Sequence, residues 1–111
     1  MLAYLLNVPS TAHDWGVFSW AHRDQHKQVL QKIQTDTGTN LTEYVIDPIA
    51  FDNFQDFLAA NQKYHNDANG VLGTQGSDLT QLDPSDQNQM KAWAFLHYQE
   101  HFTWANILHI G

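Results

Sequence analysis

The sequence predicts an all-α fold, an antiparallel bundle of three main helices, and three features carry that expectation. Apolar and histidine residues recur at intervals of three and four along three long stretches, the spacing of one helix face at 3.6 residues per turn. Two pairs, Asp47-Pro48 and Asp83-Pro84, have the form of helix starts, with Asp as cap and proline at the first helical position, where its missing N–H leaves no bond unmade. The β-branched pair Val45-Ile46 lies in a connection too short to build a sheet.

Residues 1–9 form an N-terminal arm. Met1 to Leu6 is mostly apolar, lacks a basic flank and is far shorter than the roughly 20 residues of a membrane span, so it reads as neither signal nor anchor. Such a run is costly to leave in water. The arm is therefore expected to pack on its own bundle or to meet a neighbouring subunit through Leu2, Tyr4, Leu5 and Leu6. Ser10 or Thr11 can cap a first helix near residues 11–37. Its inner face is Trp15, Phe18, His22, His26, Val29 and Ile33, while Arg23, Asp24, Lys27 and Gln31 fall mostly off that face. Thr37-Gly38-Thr39-Asn40 stops it.

The second helix is expected near residues 48–69, with Phe51, Phe54, Leu58, Asn61, His65 and Ala68 inward, Phe57 flanking, and Gly70 closing it in the left-handed conformation. Residues 70–83 exceed the usual helix–helix loop of about 2–8 residues. Leucines at 72, 79 and 82 can pin this loop to the bundle; otherwise Val71, Leu72 and Leu79 are offered to a partner. The third helix is expected near residues 84–108, with Met90, Trp93, His97, His101, Trp104 and Leu108 on one face.

At 111 residues the chain fits a single domain, residues 1–111, and the tryptophans Trp15, Trp20, Trp93 and Trp104 read as parts of its core. Twelve acids against five bases give a net charge of -7, which repels phosphate backbones and anionic lipid, so neither nucleic acid nor a membrane is an expected partner. With no cysteine, disulfides and thiolate metal sites are excluded. Only 15% of residues are charged, while eleven Gln and eight Asn make much of the polar surface amide. Amides are cheaper than ions to desolvate against another protein, which favours a chain that works inside an assembly.

The histidines are the most chemically informative feature. His22, His26, His65, His97 and His101 all fall in register with the apolar stripes, and 22/26 and 97/101 are i, i+4 pairs about one turn apart. His22, His26, His97 and His101 are expected to face inward at mid-height of the first and third helices. Two readings stay open. One is a buried network of neutral imidazoles bonded to one another, to indole N–H groups and to water. The other is a metal site using His22, His26, His97 and His101, with zinc as an example. Against the second, the Glu-x-x-His spacing of carboxylate-bridged bundles is absent. No cofactor is expected on the first reading. No catalytic residue is assigned either: GxSxG, HExxH and a lysine-bearing phosphate loop are all missing.

Several segments taken together carry a resemblance: Leu6-Asn7-Val8-Pro9, Trp15 with Phe18-Ser19-Trp20, Leu41-Thr42-Glu43-Tyr44 with Asp47-Pro48-Ile49, His65-Asn66-Asp67 with Asn69-Gly70-Val71-Leu72-Gly73, and Trp93 with Leu96-His97 and Glu100-His101. In these the chain resembles short proteins encoded among the structural genes of tailed bacteriophages. The resemblance implies a non-enzymatic part of the virion, at the tail or head-to-tail region, present in several copies as a homo-oligomer or ring and packed against other virion proteins. It carries over no catalytic residue.

Overall fold

A computed structural model describes residues 3–6, 12–41, 54–76, 78, 83 and 85–110, with the side chains at 3, 4, 12–19 and 54–56 outside the description. The expected caps at Ser10, Thr11, Asp47-Pro48 and Pro84, and the side chains of Leu2, Tyr4, Trp15, Phe18, Phe51, Phe54 and Leu79, therefore lie outside the described residues. Three long helices are present, α1 (Ala12–Thr37), α2 (Phe54–Leu72) and α3 (Gln87–Leu108), preceded by a 3₁₀ turn at Ala3–Leu6. No strand occurs among the described residues, and no helix is long and apolar enough to cross a membrane.

Each helix ends by a device written in its sequence. Gly38 adopts φ +77° and donates its N–H to the Gln34 carbonyl, the left-handed stop expected for α1. α2 continues through Gly70 and closes one turn later at Gly73, φ +69°, where the Thr74 N–H bonds the Asn69 carbonyl in a Schellman arrangement. Gly70 is thus an interior helical residue, a correction to its expected capping role. α3 begins at Asp86, whose carboxylate accepts from the Asn88 and Gln89 N–H groups; Asp83, the expected cap, instead holds Ser85 in a turn ahead of the helix. His109 closes α3 at φ 56°, with the Ile110 N–H on the Ala105 carbonyl.

The inward faces are those the spacing predicts. Val29, Ile33, Leu58, Ala68, Met90, Trp93, Trp104 and Leu108 are buried, as are all five stripe histidines. Among the tryptophans whose side chains are described, Trp20 departs from the expected core position: it is 49% exposed, with the Arg23 guanidinium 5.2 Å from its ring centre. In the arm, Leu5 is fully buried within its own chain, while Leu6 faces solvent. Val71 and Leu72 are half-buried against the core cluster built on Val29, Leu30, Ile33, Tyr64 and Trp104.

The sense of the helices differs from expectation. His22 meets His97, and one turn on His26 meets His101, so α1 and α3 climb together. α2 climbs with them: Phe57 lies beside His22, Tyr64 stacks on His26 at 3.9 Å, and Ala68 joins Ile33 and Leu108 in one cluster. On α3, Glu100 pairs with His65 and Trp104 with Asn69, again rising in step. An up-down-up bundle would bring Phe57 to the Ile33 and Leu108 end. The antiparallel arrangement therefore does not describe these contacts, because it presumes short links between neighbours. Residues 38–53 and 73–86 both exceed the short links of about 2–8 residues that such an arrangement uses.

Candidate metal centre

At mid-height the inward faces bring together His22 and His26 of α1, His65 of α2, and His97 and His101 of α3, all with fully buried rings. One ring nitrogen from each lies within 4.8 Å of every other. The expected quartet is therefore assembled, and His65 joins it.

Two neighbours fix tautomers. The Nδ1–H of His65 donates to the Glu100 carboxylate, and the Nδ1–H of His101 donates to the Gln25 side-chain oxygen. A neutral imidazole carries one ring proton, so both rings keep a lone pair on Nε2. That of His101 turns toward the middle of the cluster. There the Nε2 atoms form a chain of close contacts: His22 to His97 at 3.1 Å, His97 to His101 at 3.1 Å, and His101 to His26 at 3.2 Å.

That chain contains one contact too many for hydrogen bonding. Each Nε2 has a single in-plane orbital, holding either a proton or a lone pair, and so makes one well-directed bond. His97 and His101 each sit in two of the three contacts, so at most two can be proper N–H···N bonds. Lone pairs converging on one point satisfy all of them if a cation stands there.

Electrostatics favour the ligand form of the rings. Burial holds His22, His26, His97 and His101 well below the ordinary histidine range, with the neighbouring imidazoles adding to the effect. Burial also lowers His65, but Glu100 opposes the shift. Metal binding needs neutral imidazole, and this interior provides it.

No family model, curated protein or solved structure matches this chain. Asn69 accepts from the Trp104 indole N–H at 2.8 Å and from the Thr74 hydroxyl at 2.6 Å, tying α2, its closing turn and α3 together beside the cluster. Gly76 passes so close that a Cβ there would collide with the Asn69 side-chain amide. Tyr64 covers His26 with its ring and donates its hydroxyl to the His26 carbonyl at 3.2 Å. Glu100 is the buried carboxylate among the described residues, and it also lines a surface cleft of about 500 Å³ with Asn69, Thr74, Tyr98 and Phe102.

Glu100 stands beside His101 in the sequence with no spacing that marks its partner, and nothing in the spacing marks Gln25. Gln25 looks like ordinary polar surface one residue before His26. Its burial follows from the breadth of α1's inner face, because α2 and α3 both pack against it. Asp24, between the first pair of histidines, is exposed and takes no part.

Proposed function

We propose that this helical bundle binds a divalent transition-metal ion, such as zinc, through its buried histidine cluster. The observation that carries the reading is the surplus contact in the His22–His97–His101–His26 chain of Nε2 atoms, which hydrogen bonds alone leave unsatisfied. The spacing supports it: nitrogens about 2.0–2.1 Å from a tetrahedral zinc stand about 3.3–3.4 Å apart, close to the 3.1–3.2 Å separations seen. Glu100 and Gln25 add the outer shell that ligating histidines use, an acceptor on the distal ring N–H that fixes tautomer and orientation.

All five rings are fully buried, which favours a site that braces the bundle or stores the ion over one that turns over a bulky substrate. The test is elemental analysis of protein purified without chelator, beside thermal melting with and without zinc. Close to one ion per chain and a raised melting temperature are expected, since an ion at 100 times its Kd adds about 2.7 kcal/mol. A metal-free protein whose melting ignores added zinc, nickel and cobalt would sink the reading.

A second reading concerns assembly. Phe95, Leu96, Phe102 and Ile107 of α3 are exposed, large apolar side chains on a helix whose inner face is already packed. They favour a subunit that packs in several copies against other proteins, in keeping with the resemblance to bacteriophage structural proteins and a place in the virion. Copurification with phage particles tests it; a chain absent from purified particles would remove it.

A further inference from the structure

We infer that His65 is a fifth ligand of the proposed ion, making the centre five-coordinate or higher rather than tetrahedral. The inference rests on the metal-binding reading above and goes beyond it in coordination number and in the role of α2. His65 lies on a different helix from the two i, i+4 pairs, so it brings α2 into the cluster.

Four observations converge on it. The His65 ring is fully buried and sits 4.8 Å from His97 and 4.9 Å from His101 between ring centres, within the cluster rather than beside it. Its Nδ1–H is taken by Glu100, which leaves a lone pair on Nε2. That Nε2 is buried and makes no hydrogen bond, an orphaned acceptor that would cost about 1–3 kcal/mol if nothing met it. Finally, one ring nitrogen from each of the five histidines lies within 4.8 Å of every other, so His65 is as much a part of the group as the other four.

Glu100 then acts as a positioning residue. It holds His65 in the ligating tautomer and places one negative charge beside an ion whose ligands are otherwise all neutral.

Cobalt(II) is the probe, added to the full chain after chelator treatment. The proton NMR spectrum of the cobalt form carries one strongly shifted exchangeable N–H line for each ligated imidazole. Five such lines, with the weak visible absorption of five- or six-coordinate cobalt, are expected. Four lines with the intense absorption of tetrahedral cobalt would overturn the inference while leaving metal binding in place. Failure of cobalt to bind at all would instead remove the parent reading. His65→Leu is expected to convert the weak spectrum to the intense tetrahedral one. Should that variant not fold, Glu100→Gln keeps the shape and an acceptor for His65; it is expected to retain all five lines, shift the His65 N–H line and weaken cobalt binding by 10- to 100-fold. An unmoved line and unchanged affinity in Glu100→Gln would count against the positioning role.

Discussion

His65 gives its Nδ1–H to Glu100, and through that bond a carboxylate on α3 decides which face of an α2 imidazole points into the bundle. Gln25 does the same for His101 from α1. Each helix thus carries cluster histidines, and α1 and α3 each carry a residue that orients a ring of another helix. The orientation of the cluster is a property of the packed bundle and of no single helix.

Stability of the metal-free chain should fall as pH drops below neutrality. The five buried histidines have pKa values lowered chiefly by desolvation, most for His22, His26, His97 and His101, and less for His65, where Glu100 opposes the shift. Above about pH 7.5 neither folded nor unfolded chain holds these protons, and the full stability is present. As pH falls through about 6.5 the unfolded chain takes up protons that the folded chain refuses, so each such group removes about 1.4 kcal/mol per pH unit until its folded pKa is reached. Thermal melts in chelator between pH 8 and pH 5 measure this; a melting temperature that stays level would contradict it.

Replacing His97 by Gln should cost about 1–3 kcal/mol in urea titrations of the metal-free protein. His97 contacts both His22 and His101 through one nitrogen and lies 4.8 Å from the Trp93 ring. Glutamine keeps a polar group but neither the ring packing nor the reach. A variant as stable as the parent would show that the imidazole network contributes nothing without metal.

Two glycines three residues apart should respond in opposite directions. Gly70 is exposed and helical, with open space where a Cβ would go, so Gly70→Ala should stabilise by about 0.4–1 kcal/mol. Gly73 also has open space but sits at φ +69°, so Gly73→Ala should cost about 1 kcal/mol or more through backbone strain alone. Equal effects of the two substitutions in denaturant titrations would refute the position of the α2 terminus.

In the N-terminal turn, Leu5→Ala should cost about 2–5 kcal/mol, the range for a fully buried leucine. Leu6→Ala, at a 47% exposed neighbour, should stay within about 0.5 kcal/mol in the isolated chain. If Leu6→Ala instead changed oligomer size in sedimentation, that side chain would be the arm's contact with another subunit.

Much of this architecture was legible in the residue spacing, and the reason is local. Intervals of three and four mark which side chains share a face, and that sufficed for the helices, the buried stripes and the inward histidines. The direction of α2 was not legible, because it depends on the path of residues 38–53 and 73–86 and no side chain on the helix encodes it. His65 shows the consequence: it was visible as an inward histidine, yet lacking an i, i+4 companion it had no reason to be grouped with the other four until α2 was placed. Gln25 was invisible for a different reason, since whether an amide at the margin of a face is buried depends on how widely its neighbours cover it.

The shared sense of the helices also bears on how the site comes into being. His22 and His97, like His26 and His101, are 75 positions apart, so the contacts that define the cluster are distant in sequence even though every element is a helix. Helical proteins usually gain speed from near-neighbour contacts, an advantage this topology gives up. During synthesis at 5–20 residues per second, α1 waits about 4–15 s after His22 is made before His97 follows. For that interval its apolar stripe and two imidazoles have no α3 to close over them, which makes the ordering of events on the ribosome, and what shelters α1 meanwhile, part of how this protein reaches its native state.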